Sequence, residues 1–205
     1  MADGVAAAQM SEPVPAPESV HPIGLIVTDD LRRSRLTVFF RLLLVIPHVI
    51  LLYLWSIAAM VAVVIAWFAA LIAGRVPSGL HGFIAGNVRY SVRVFGYVLL
   101  LADPWPSISS PYPIDVRIDP PAAQSRLTVF FRLLLAIPAL FVTSVFRSVN
   151  QVLAVLGWFY CLATGRMNRG MRDLSAWLLR YEIQTYAYLL LLTGRYPSLA
   201  GAPTV

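Results

Sequence analysis

The sequence predicts an all-α integral membrane protein made of two tandem repeats. Each repeat is an interfacial amphipathic helix plus a two-helix transmembrane hairpin, four spans in all, with a short extended segment before each repeat. Three observations carry this expectation. The chain is 59% apolar and only 13% charged, with a mean hydropathy of +0.73, whereas an ordinary soluble domain is about 45–50% apolar and about 25% charged. A chain of 205 residues with that composition has too few polar side chains to cover a water-facing exterior. The segment SRLTVFFRLLL at residues 34–44 returns unchanged at residues 125–135. Finally, residues 49–73 carry no charge over a length sufficient to cross a bilayer.

The elements follow in order. Residues 1–20 hold Asp3, Glu12 and Glu18 but no basic residue, which excludes the basic and apolar regions of a signal peptide and predicts a disordered tail. In residues 22–27 and their counterparts 113–118 apolar side chains alternate, as in a short strand. Residues 36–73 are almost continuously apolar. As one straight helix they would reach about 57 Å, far beyond the ~30 Å hydrocarbon core. Pro47 therefore predicts a boundary, because it lacks an amide donor and disfavours helical geometry at Ile46. Before it, Ser34, Thr37 and Arg41 oppose Leu36, Phe39, Phe40, Leu43 and Leu44, which is the pattern of an interfacial helix. After it, residues 49–73 form a span, residues 74–79 a turn, and residues 80–101 a return helix that carries Asn87, Arg89 and Arg93.

The second copy repeats this plan at an offset of 91 residues: amphipathic helix 126–137, span 139–163, turn 165–170 and return helix 171–193. The resulting organisation is a tail at 1–20, repeat one at 21–108, repeat two at 112–199 and a tail at 200–205. With four spans the two copies share one orientation. Arg32, Arg33, Arg35, Arg41, Arg117, Arg126, Arg132 and Arg195 then lie on the side of both chain ends, and the positive-inside rule places those ends in the cytoplasm of a cell membrane.

An arginine-rich amphipathic start at residues 35–46, the break Ile46-Pro47-His48, the Trp67 span and the turn Gly74-Arg75-Val76-Pro77 are carried by nearly the whole of each copy. In these features the chain resembles the bacterial membrane family catalogued as domain of unknown function 4389. Copy two departs from the pattern, with Ala139 in place of the histidine and Asn168 in place of the turn proline. The resemblance implies a membrane protein and carries no activity onto these residues.

Chemistry concentrates where the copies differ. Thr143, Arg147, Asn150 and Gln151 share one face of the second copy's span, at positions where copy one has Leu52, Ser56, Ala59 and Met60. An arginine at mid-helix costs roughly 2.5–3.5 kcal/mol to place in hydrocarbon, so this face is expected to meet protein, with Glu182 as its counter-charge. The cluster reads either as a functional polar site or as a clamp joining two helices. Arg35, Arg41, Arg126 and Arg132 on the amphipathic helices, with Arg89, Arg93 and Arg180 on the return helices, are candidate contacts for anionic lipid headgroups. Snorkelling to the interface is the alternative for Arg89 and Arg180.

Other function classes lack their residues. The arginines are interleaved with apolar residues, which points away from nucleic acid and toward anionic lipid as partner. His21, His48 and His81 have no zinc-site spacing, so no metal or other cofactor is expected. The single cysteine, Cys161, reads as a buried inert thiol. No nucleophile and base are visibly paired, which argues against an enzyme. The expected role is a non-enzymatic membrane scaffold or lipid-organising component, possible partners including other membrane proteins. The alternative is a small transporter or channel for an anionic or lipid-like substrate with a polar site between the repeats.

Overall fold

The computed structural model describes residues 21–201, so the predicted tail at 1–20 and nearly all of the one at 200–205 lie outside the described residues. The order is β1 (Ile23–Val27), α1 (Arg35–Leu44), α2 (Ile46–Ala73), α3 (Ser78–Val98), β2 (Ile114–Ile118), α4 (Arg126–Phe130), α5 (Arg132–Thr164) and α6 (Arg169–Leu189). The two extended segments pair with each other, antiparallel, with Leu25 opposite Val116. Residues 25 and 116 are each other's counterparts in the repeat. A pseudo-twofold axis therefore passes between them and relates the two copies.

The repeats interlock about that axis. β1 packs on α6 and β2 on α3, while α1 lies against α5 and α4 against α2. Trp67 Nε1 donates to the Val129 carbonyl at 3.1 Å, and its counterpart Trp158 donates to the Val38 carbonyl at 2.8 Å. Each of these tryptophans ties the far end of one long helix to the start of the other copy. The two long helices consequently run in opposite senses. Gly74 and Gly165 end them with φ of 71° and 72°, a left-handed turn that glycine adopts without a Cβ penalty. Their carbonyls accept from Gln124 N and Arg33 N of the other copy, at 2.8 and 3.0 Å.

The repeated arginines of the RLTVFFR motif close the ends of the return helices. Arg41 Nη1 donates to the Tyr97 and Ala102 carbonyls, and Arg132 Nη1 to those of Tyr188 and Thr193. Each guanidinium lies over the tyrosine ring of the same turn, at 4.3 and 4.5 Å. Each also leaves its Nε without a partner. Position 33 and its counterpart 124 perform one task with different side chains. Arg33 donates to the Leu100 carbonyl and Gln124 to that of Leu191, both leucines having left-handed backbone, φ 61° and 64°. Beside Arg41, burial pushes the Tyr112 phenol well above its usual range, against the opposing pull of that guanidinium.

Four expectations need correction. The chain is mostly helical but not all-α, since β1 and β2 form a two-stranded sheet. Among the described residues only two helices are long and apolar enough to cross a membrane, α2 and α5, whose most apolar 18-residue stretches have mean hydropathies of 2.7 and 1.6. The four-span reading is overturned because α3 and α6, expected as return spans, are enclosed by protein. Their polar side chains, among them Asn87, Arg93, Arg180, Glu182 and Gln184, are buried. Apolar periodicity alone does not distinguish a helix covered by lipid from one covered by neighbouring helices.

The basis for cytoplasmic chain ends falls with the span count. Arg33, Arg41 and Arg132, three of the eight arginines weighed on that side, are buried and spent on backbone carbonyls. The expected helix over residues 126–137 is also interrupted early. The break in copy one falls at Val45, beside the proline, but in copy two it falls at Phe131, and Pro138 lies inside α5. A proline in a helix interior removes one hydrogen bond, and a 33-residue helix absorbs that loss.

Candidate functional site

Along the contact between α5 and α6 the polar face predicted for copy two forms a ladder. Thr143 Oγ1 donates to Thr185 Oγ1 at 3.1 Å. One turn on, Arg147 Nε donates to Glu182 Oε1 at 3.0 Å, and Nη2 reaches the same oxygen and the Tyr186 hydroxyl, the latter at 2.8 Å. Beyond that, Ser175 Oγ donates to Asn150 Oδ1, and Asn150 Nδ2 donates to the Ser175 carbonyl at 3.4 Å. Glu182 is thus the counter-charge of Arg147. Gln151 stands apart, exposed and without a hydrogen bond to any described residue. The Arg147 side chain is 44% exposed and that of Glu182 10%.

This ion pair lines a cavity of about 280 Å³ between the repeats. The walls are made of counterparts. Ser56 answers to Arg147, Ser91 to Glu182, Val88 to Leu179, Val92 to Ile183 and Phe95 to Tyr186, each pair 91 residues apart. The cavity therefore sits on the pseudo-twofold axis. It also lies at the middle of both long helices, since Met60 and Arg147 line it from the centres of α2 and α5. In copy one, Asn87 Nδ2 donates to Ser56 Oγ at 3.3 Å and Ser91 Oγ to the Asn87 carbonyl at 2.8 Å. The sequence reading missed Ser91, Phe95 and Tyr186. Subtracting the repeat offset from Glu182 would have found Ser91.

The arginines expected at lipid headgroups divide into two sets. Arg41 and Arg132 are buried, as described above. Arg93 Nη1 donates to the carbonyls of Ser107, Ile108 and Ser110, and Arg180 holds the equivalent loop through the carbonyls of Ser198, Leu199 and Ala200. These two arginines occupy different repeat positions, 93 and 180, one helical turn apart. The vacated positions exchange tasks as well. Arg89 Nε donates to the Val116 carbonyl on β2 at 3.3 Å, and Gln184 Nε2 to that of Ile23 on β1 at 3.2 Å. Arg35 and Arg126 remain exposed at the starts of α1 and α4; Arg35 donates to the Ala163 carbonyl at the end of α5, at 3.0 Å. Cys161 is buried, its sulfur 3.7 Å from Met167 Sδ. His48 Nδ1 shares a 2.7 Å hydrogen bond with the Tyr90 hydroxyl. Among the described residues no three His, Cys, Asp or Glu side chains gather to hold a metal ion.

Fold and site together define an interlocked tandem-repeat protein with two helices able to cross a membrane and, on its axis, a largely apolar cavity that holds one ion pair. The chain belongs to the family described as Domain of unknown function (DUF4389), whose model matches residues 35–109 and again 126–200. The tandem organisation is thus the family unit used twice. No curated protein and no solved structure matches the chain.

Proposed function

We propose that the protein is a non-enzymatic component of a cell membrane, with α2 and α5 seated in hydrocarbon, where it scaffolds partners or organises lipid. The observation that supports this reading is the state of those two helices. In their most apolar stretches only 17% and 22% of residues are buried by the protein itself. A core helix of a water-soluble protein would be covered. Instead Ile50, Leu54, Ile57, Val61, Ile65 and Ile72 of α2 are all more than half exposed. A contiguous apolar face of that kind marks a membrane or protein contact. At about 1.5 Å per residue, the 28 residues of α2 and 33 of α5 exceed the ~30 Å hydrocarbon thickness. Arg35 and Arg126, exposed at the helix starts, are the arginines best placed to meet anionic headgroups.

The test is Ile57→Arg, on the outward face at the middle of α2. In water an exposed substitution of this kind changes stability by no more than about 0.5 kcal/mol. In hydrocarbon it costs roughly 2.5–3.5 kcal/mol. The expected result is that the parent chain resists alkaline carbonate extraction and floats with vesicles, while the variant moves largely to the soluble or aggregated fraction. A parent chain released by carbonate, or a variant indistinguishable from it, would remove the reading.

A second reading, a small transporter, draws on the cavity. Opposed repeats that meet at a polar site near the middle of the spans are the arrangement from which alternating access is built. Loss of solute flux into vesicles on the paired changes Arg147→Leu and Glu182→Leu, in protein that still inserts, would favour it over the scaffold.

A further inference from the structure

The cavity has one charged wall and one small one, and two positions make the difference. Where copy two places Arg147 and Glu182, copy one has Ser56 and Ser91, so the volume a second ion pair would fill is open. The pair is not saturated. Arg147 uses Nε and Nη2, and Glu182 uses Oε1, which leaves Arg147 Nη1 and Glu182 Oε2 without a hydrogen bond to any described residue. A donor and an acceptor thus stand on adjacent side chains of the same wall.

Charge then selects the ligand. The pair is neutral as a whole, so an anion that approaches Arg147 meets Glu182, and a cation that approaches Glu182 meets Arg147. A hydroxyl both donates and accepts, and satisfies the two free groups without displacing either. The rest of the lining is largely apolar, with Met60 and Phe95 exposed at its edge, 61% and 44%. Met60 belongs to α2, which the proposed function seats in hydrocarbon, and Phe95 is exposed at the same edge of the cavity, so entry is lateral, from the lipid. The volume, about 280 Å³, falls just under the roughly 300–1,000 Å³ of ordinary ligand pockets, which suits one chain and not two.

We propose that this cavity binds a neutral, single-chain lipid, its hydroxyl head between Arg147 and Glu182 and its chain along Met60 and Phe95. The proposal rests on the membrane reading above and adds the class of ligand.

It is tested on the full chain in phosphatidylcholine vesicles with a photoreactive medium-chain fatty alcohol, and flotation is read on the same sample. The expected result is crosslinking concentrated on peptides of α2, α3, α5 and α6 that line the cavity. Unlabelled decanol should compete, and the permanently charged decyl sulfate should not. Ser91→Phe, which fills the open side, should reduce labelling at least tenfold while flotation is kept. Glu182→Gln, which takes away the negative partner and leaves Arg147 as a net cation, should, unlike the parent, let decyl sulfate compete. Labelling spread over the outward faces of α2 and α5, or unchanged by Ser91→Phe in protein that floats, would overturn the cavity proposal alone. Equal competition by decyl sulfate on the parent chain would overturn the hydroxyl class. A chain that does not float would overturn the membrane reading and this proposal together.

Discussion

Arg132→Leu is expected to abolish accumulation of the folded protein, and Arg41→Leu to weaken it measurably less. Each side chain is about 2% exposed and holds two carbonyls at the end of a return helix, plus one side-chain acceptor. Leucine removes the donor and leaves those acceptors in place. A buried acceptor without a partner costs about 1–3 kcal/mol, so three of them amount to a large part of the ~5–15 kcal/mol by which a domain is stable. The copies differ in the third acceptor. For Arg41 it is Asp103, whose side chain is 27% exposed and able to turn to solvent, whereas for Arg132 it is the buried Gln124. Arg132→Lys should fall between parent and leucine variant, because an ammonium donates but does not reproduce the fork that spans two carbonyls and an amide. The readouts are the yield of monodisperse protein and its thermal unfolding midpoint. Equal stability of Arg132→Leu and parent would show that the repeated arginine does not hold the helix end.

The same arginines mark where sequence reasoning stopped. The tandem organisation, the helix stops at Gly74 and Gly165 and the partnership of Arg147 with Glu182 could all be read from spacing, since each depends on residues in one copy or on a fixed offset. The assignment of α3 and α6 as spans could not be checked in that way. An apolar helix that carries Arg93 or Gln184 looks alike whether it returns through lipid or is wrapped by protein. Only the interlocking decides, through long-range bonds such as Gln184 to the Ile23 carbonyl. Pairing of β1 with β2 was equally hidden. Each segment showed strand alternation, but its partner lies 91 residues away in the other copy, and nothing local specifies that contact. The cavity escaped for a related reason. Ser56 and Ser91 are unremarkable until they are set against the charged residues that occupy their places in the second repeat.

Arg147→Leu is expected to destabilise the protein strongly, and the added change Glu182→Leu to restore most of the loss. The single variant strands a carboxylate that is 10% exposed among apolar walls. Breaking such a pair from one side costs about 3–5 kcal/mol when its surroundings are dry, whereas replacing both partners by apolar residues of similar size is often neutral. The size of the penalty reports what touches Arg147. Its side chain is 44% exposed, and if that surface met water the pair would contribute only about 0–1 kcal/mol and would weaken further with salt. If it meets hydrocarbon, no solvent screens the pair and the larger figure holds. Thermal unfolding of parent, both single variants and the double variant, at low and high salt, closes the cycle. A coupling of several kcal/mol that is insensitive to salt fits a pair facing lipid; a coupling below about 1 kcal/mol that salt erodes fits one facing water, and would count against the placement of α5 in a membrane.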